Sequence, residues 1–211
     1  MSSIEPTFST SKLGTKKHWD ECYEREITNF EEIGDIGEIW FGEDSVVKMM
    51  DWCEEHQPDL DVKTIDLGCG NGHILFEMSE LGYTNLHGVD YSPASITLAE
   101  KIHQTSYPDA SITWAPLDFM PFSATSPPPP EYNHTFQLAV DKGTFDAISL
   151  ANGVVESDDG TPVNVCNWTE AELKEGFKEY FTFHSRKKYP TFTFGGVEGQ
   201  TVVTVAFKRV Q

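Results

Sequence analysis

The stretch that decides the fold is Asp66-Leu67-Gly68-Cys69-Gly70-Asn71-Gly72, read as D-x-G-x-G-x-G. It stands between KTIDLG (63–68), which reads as a short strand, and GHILFEMSEL (72–81), which reads as a helix ended by Gly82. Glycines at this spacing suit a chain that turns sharply from strand to helix and lets a ligand approach its backbone. The next apolar run, NLHGVD (85–90), reads as a second strand and ends in Asp90. A carboxylate at that place can accept two hydroxyl hydrogen bonds, which suits the vicinal diol of a ribose.

Two nucleoside ligands compete for such a turn. A dinucleotide sets its pyrophosphate on the helix N-terminus, where negative charge is favoured. Asp66 puts a carboxylate at the mouth of the turn, which repels a pyrophosphate but suits an ammonium and a sulfonium. S-adenosyl-L-methionine carries both. The glycine spacing is also G-x-G-x-G rather than the dinucleotide pattern G-x-G-x-x-G. Adenosylmethionine is the preferred reading.

Working outward, the same alternation continues. Ser92 opens a helix with Pro93 in its first turn, running to about Thr105. SITWAPL (111–117) and FQLAVD (136–141) read as the third and fourth strands, and FDAISL (145–150) begins the next element. Between strands three and four lies a proline-rich surface loop, SATSPPPPEYNHT (123–135). Upstream, Trp19, Cys22, Tyr23 and Ile27 predict an amphipathic helix over 14–27. Residues 28–43 read as a loop that exposes the pair Trp40-Phe41. A helix then runs from Asp44 or Ser45 through His56, with Val46, Val47, Met49, Met50, Trp52 and Cys53 inward. Strands alternating with helices imply an α/β fold with a doubly wound parallel sheet. Near the end, Thr169 and Glu172 form a capping box for a helix through Phe181. The runs 189–194 and 200–210 then predict an antiparallel hairpin.

Composition bounds the rest. A chain of 211 residues fits one domain, expected over 13–211 after a loose tail at 1–12. The net charge of −19 disfavours nucleic acid and anionic lipid and favours a basic partner. No apolar run approaches the ~18 residues of a spanning helix, and residues 1–12 show no signal-peptide pattern. Cys22, Cys53, Cys69 and Cys166 form no CxxC pair and read as reduced thiols of a cytoplasmic protein. The seven histidines show no metal-ligand spacing, so no metal is expected.

The sequence resembles the class I, seven-stranded, Rossmann-like adenosylmethionine-dependent methyltransferases. More narrowly, it resembles the protein-lysine methyltransferases of translation elongation factor 1-alpha. The residues that carry the match are LGTKKHWDECYERE (13–26), NFEEIGDIGEIWFGE (29–43), DLGCGNG (66–72), GVDYSPASI (88–96), DKGTFDAISL (141–150), CNWTEAEL (166–173) and TFTFGG (191–196). The resemblance implies that Asp66, Gly68, Cys69, Gly70, Asn71 and Gly72 line the methionine part of the cofactor. It sets Asp90 on the ribose with Tyr91 beside the adenine, and Asp118 next to Phe119 on the adenine amino group. Asp141-Lys142 would stand where the target amine is positioned. Trp40, Phe41, Asn167 and Trp168 would cover the cofactor and bind substrate. The implied partner, elongation factor 1-alpha, is basic, and the enzyme is expected to act as a monomer.

Methyl transfer asks little of acid–base groups, because positioning does most of the work. The target lysine, with a free pKa near ~10.4, must shed a proton. Water or Asp141 could take it. Lys142 reads as an ion-pair partner rather than a nucleophile.

One region departs from the family. Only ANGVVESDDGTPVNV separates Leu150 from Cys166, where the resemblance implies a crossover helix and a fifth strand. A crossover needs ten to twelve residues or more, and this segment is rich in poor helix formers. The helix and strand are therefore expected to be shortened or missing, with a stub at 163–165. That keeps two alternatives beside the lysine methyltransferase: a non-catalytic shortened form that binds a partner, and a small-molecule methyltransferase.

Overall fold

The structure is a computed structural model that describes residues 11–122, 126–151, 155–156, 162–163, 168–189, 193–194, 197–198 and 202–210. A 3-10 turn over Lys12–Gly14 leads into α1 (Lys16–Ile33), which Thr15 caps by accepting from the His18 N–H at 3.4 Å. Gly34, at φ +74°, ends α1 by donating to the Phe30 carbonyl at 2.9 Å. The helix thus continues well past Ile27, into the stretch expected to be loop. Its last turns are held because Phe30 packs against the core and Glu31 pairs with Lys101 at 2.8 Å. The true loop is 34–41. It is followed by α2 (Gly42–His56), which buries Ser45, Val46, Met50 and Cys53 while Val47 points outward at 53 % exposure.

The sheet begins with β1 (Thr64–Leu67), then α3 (His73–Glu80), β2 (Leu86–Asp90), α4 (Pro93–Ser106), β3 (Ile112–Pro116) and β4 (Leu138–Val140). These four strands are parallel in the order β3-β2-β1-β4. Strand order reverses between β1 and β4, so the C-terminal ends of β1, β2 and β4 frame a crevice, the usual ligand site of an open α/β sheet. The core behind it joins Ile74, Leu75 and Met78 of α3, Leu98 and Ile102 of α4, and Leu86 of β2. Helix α4 starts at Ser92, whose hydroxyl does not cap its own helix. It donates instead to Asp20 of α1 at 2.6 Å and joins the two helices.

Beyond β4 come α5 (Thr144–Ala151), β5 (Val155–Glu156), β6 (Pro162–Val163), α6 (Glu170–Phe177), β7 (Phe181–Lys187), β8 (Thr193–Phe194), β9 (Val197–Glu198) and β10 (Thr204–Arg209). The Thr169–Glu172 capping box is present, although α6 stops at Phe177 rather than at Phe181. The C-terminal hairpin pairs β7 with β10, and the two-residue strands β8 and β9 pair separately. Its first long strand is therefore 181–187, not 189–194. Phe181 and Phe183 alternate toward one face and meet Arg209 and Phe207 of the partner strand.

The seven-stranded sheet that the resemblance implied is not what the described residues form. Among the described residues the parallel sheet has four strands, and the hairpin makes no ladder with it. Between α5 and α6 the described residues hold only the antiparallel pair β5–β6, whose last residue, Val163, is the first of the expected stub.

Candidate active site

The crevice is built on the glycine turn. Gly68 has φ +77°, and a Cβ there would stand 2.1 Å from the Thr144 hydroxyl, which donates to the Gly68 carbonyl at 3.3 Å. Gly72 has φ +85°, and its Cβ would strike the Trp114 ring at 2.5 Å. Both positions demand glycine on two counts, backbone conformation and space. Asp90 locks the turn from the neighbouring strand. Its carboxylate accepts from the Gly70 N–H at 3.1 Å and from the Ser92 N–H at 2.9 Å. Burial raises the Asp90 pKa, and those two N–H groups oppose the rise. Two donors use about half of a carboxylate's acceptor capacity, so Asp90 can still receive hydroxyls.

Asp66 ends β1 almost fully buried, at 2 % exposure. Burial pushes its carboxyl up to about 7, and nearby Lys142 pulls it back down. Lys142 is held low by burial, with Asp66 and Asp141 raising it in turn. Its ammonium donates to the Trp40 carbonyl at 3.1 Å, which ties the 34–41 loop to the end of β4. Asn71 ties the same loop from the other side by donating to the Ile36 carbonyl at 3.0 Å. The loop then enters α2 through Phe41 at φ +63°, a left-handed conformation that costs a bulky residue roughly 1–2 kcal/mol. The strain is held in place by packing, since a Cβ on Gly143 would stand 2.3 Å from the Phe41 ring.

One cavity gathers most of the expected residues: Trp40, Phe41, Asp66, Gly68, Cys69, Gly70, Asn71, Asp90, Tyr91, Asp118, Phe119 and Lys142 all line it. Trp40 and Phe41 are half-buried rather than exposed. Asp118 is exposed, and one of its oxygens accepts from the Met120 N–H at 3.1 Å. Gly72 lies behind the lining and shapes the turn. Asp141 is not in the lining either. It accepts from the Phe145 N–H at 3.1 Å and steadies the start of α5. The surrounding protein pushes Asp141 up to about 7, but the residue is exposed and water screens that push. Trp168 stands apart, donating to the Ser149 hydroxyl at 3.2 Å with its ring 5.0 Å from that of Phe145. It packs on α5 and does not cover the cavity. Asn167 lies outside the described residues.

Sequence reading missed the wall opposite the glycines. Trp19 and Tyr23, one turn apart on α1, stack at 6.0 Å, and Trp40 meets Trp19 edge-on at 5.0 Å. The Tyr23 hydroxyl reaches to 2.8 Å from where a Cβ on Gly70 would be. These rings join Leu13, His73 and the α5 residues Thr144, Ala147 and Ile148 in the lining. The available signal was two aromatic rings at i and i+4 on one face of α1, a spacing that also fits ordinary core packing.

The residues present fit adenosylmethionine. A buried carboxylate at the turn suits a cation, a second one with spare acceptor capacity suits a diol, and aromatic walls suit a purine. Among the described residues no group of three or more His, Cys, Asp or Glu is arranged to hold a metal ion.

Comparison with known proteins agrees with this geometry. Residues 58–170 match the methyltransferase domain family. The chain is 38% identical to EEF1A lysine methyltransferase 2 of Mus musculus, over 99% of this chain and 88% of the relative. It is 37% identical to Protein-lysine N-methyltransferase EFM4 of Saccharomyces cerevisiae, over 95% and 96%. The chain belongs to this methyltransferase family. The crystal structure of magnesium protoporphyrin IX methyltransferase from Synechocystis PCC 6803 with bound SAH shares the fold, with a TM-score of 0.55. At 12% identity, over 88% of this chain and 96% of that one, that likeness concerns the fold alone.

Proposed function

We propose that this methyltransferase transfers a methyl group from S-adenosyl-L-methionine to a lysine of translation elongation factor 1-alpha. The observation that carries the reading is the convergence of Asp66, Asp90 and Asp118, from the ends of three adjacent strands, on one aromatic-walled cavity. Asp90 takes the ribose hydroxyls, with Tyr91 beside the adenine. Asp118 and the neighbouring Phe119 take the adenine amino end. Asp66 and the turn from Gly68 to Gly72, including Cys69, Gly70 and Asn71, hold the methionine part. When bound, the cofactor supplies a methyl group already activated on a sulfonium.

The chain's own residues then position and shelter the acceptor. Lys142 and Asn71 anchor the 34–41 loop, so Trp40 and Phe41 form the wall through which a lysine side chain enters. Asp66 and Glu38 in the lining favour an approaching ammonium. Water at the open mouth, rather than Asp141, takes the proton that the lysine must lose. The domain spans 13–211, acts as a monomer in the cytoplasm, and does not use nucleic acid. Its net charge of −19 speeds encounter with a basic protein.

The test is incubation of the purified chain with adenosylmethionine and intact elongation factor 1-alpha, read by peptide mass spectrometry. A methylated lysine, formed faster at low salt than at high salt, supports the proposal. Cofactor binding without transfer to the factor favours a binding protein shortened at 151–165. Transfer to small amines alone favours the small-molecule enzyme.

A further inference from the structure

In the connection between β3 and β4, the described residues of the proline-rich stretch, 126–135, add nothing to the lining of the cavity described above. Its described residues contain no helix. It holds a run of four prolines, Pro127 to Pro130, followed by Glu131 and Tyr132, so that residues 129–132 spell P-P-x-Y. Pro127, Pro130 and Glu131 are exposed, and Pro128, Pro129 and Tyr132 are half-buried. Consecutive prolines have fixed φ and no N–H to satisfy, so they pre-set a polyproline II strand. Small recognition modules with aromatic-lined grooves read such strands at low entropic cost.

The flanking residues decide which module fits. An SH3 groove wants a basic residue beside the prolines, and no Lys or Arg occurs between Lys101 and Lys142. An EVH1 groove wants an aromatic residue just before the run, and Ser126 stands there. A WW groove stacks the prolines on its aromatic pair and takes a tyrosine, two residues past the last proline, into an adjoining pocket. Tyr132 has that place.

In the folded chain this tyrosine is docked inward. Its hydroxyl lies 3.3 Å from the His87 Nε2, and its ring centre lies 5.5 Å from that of His87 and 6.3 Å from that of Phe136. The Tyr132 and Asn133 N–H groups donate to the Pro129 and Pro130 carbonyls at 2.9 and 3.2 Å. The segment is therefore turned rather than extended, and a groove can take it only after these contacts open. His87 lies near the start of β2, about 10 Å along the strand from Asp90.

We propose that Pro127–Tyr132 is a docking segment for a WW domain of a partner protein, held in a closed form by the Tyr132–His87 contact. The inference stands on the loop alone and is independent of the methyl-transfer reading. The experiment titrates the full chain, by calorimetry and amide NMR, with an isolated WW domain that reads P-P-x-Y. An SH3 and an EVH1 domain run in parallel.

The expected result is saturable binding of the WW domain alone. Tyr132→Ala and Pro130→Ala should each weaken it by roughly tenfold or more, as loss of an anchor does. His87→Ala, which frees the ring, should tighten it severalfold, because a larger fraction of the chain is then competent to bind. Pro130 is exposed, so its replacement does not threaten the fold. Adenosylmethionine affinity should stay constant throughout. No WW binding by the full chain overturns the proposal, as does binding that survives Tyr132→Ala, or a preference for the SH3 or EVH1 domain.

Discussion

The two halves of this molecule are held together differently. Among the described residues, every buried one lies between Cys22 and Val140, in the parallel sheet, the helices that cover it and the turns that join them. After Val140 no residue whose side chain is described is buried. The hairpin side instead shows Tyr180 at 67 %, Phe183 at 39 % and Phe181 at 36 % exposure. Its links to the sheet half include Trp52 to the Ser185 hydroxyl at 2.7 Å, Lys187 to Glu55 at 2.6 Å, and the His184 ring against those of Trp52 and His56 at 5.9 and 5.2 Å. Hydrogen-bonded ladders make a sheet cooperative, and here the ladder stops at β4 among the described residues. The glycine turn and the carboxylates of the crevice stand on the packed half, and residues after Val140, among them Lys142, Thr144 and Ile148, add to its lining.

That contrast can be broken at several points. The largest effect is expected in the core. Leu98→Ala, at a fully buried site on α4, should cost about 2–5 kcal/mol in urea denaturation. Phe207→Ala on the hairpin should cost about half of that or less, because its ring is only half-buried. Equal losses would show one uniform domain and dissolve the contrast.

Next comes the pH dependence of the crevice. Burial holds the Asp66 carboxyl up to about 7, so the folded chain keeps a proton that the unfolded chain releases near ~4. The sign follows. Stability falls as pH rises from about 4 to about 7 and is flat above. A bound cation favours the ionised carboxylate, so adenosylmethionine affinity should rise with pH through the same range. Asp66→Asn should flatten both slopes, and a slope that persists in the variant would assign it to another group.

The two tryptophan sites separate the halves functionally. Trp40→Ala should slow methylation of the protein substrate by roughly tenfold through lost positioning, with a smaller effect on cofactor binding. Trp168→Ala, on the far side of α5, should leave cofactor affinity unchanged. The reverse pattern would make Trp168 the lid. The smallest effect belongs to the joint. Trp52→Phe removes the bond to Ser185 and should cost about 0.5–1.5 kcal/mol. Amide exchange should quicken in β7 and β10 while β1 and β2 stay protected.

What could be read from the sequence follows the same divide. The glycine turn, Asp90 and the four parallel strands were legible because each depends on short-range rules, φ at glycine or an apolar run ending in an acid. Strand β7 was hidden, because FTFHSRK carries three charged or titratable side chains and lies outside the packed core, so its alternation is weak. The Tyr23–Trp19–Trp40 wall was hidden for another reason. Those rings meet Gly70 and one another only through the tertiary fold, and their spacing on α1 is the spacing of any helix core face. Trp168 and Asp141 failed in the opposite direction. Their residue types suited a site, but local hydrogen bonds to Ser149 and Phe145 use them to build α5.

The most direct test of the central claim, that the crevice framed by the four described parallel strands takes up the cofactor, is calorimetric titration of the whole chain with adenosylmethionine beside Asp90→Ala. Asp90 accepts two backbone N–H groups at the crevice, and losing its bonds to the ligand should cost ~1.5–3 kcal/mol. The account predicts one saturable site in the native chain, weakened roughly ten- to a hundredfold in the variant. A chain that is folded, by the protection of its β1 and β2 amides, yet takes up no adenosylmethionine would contradict it.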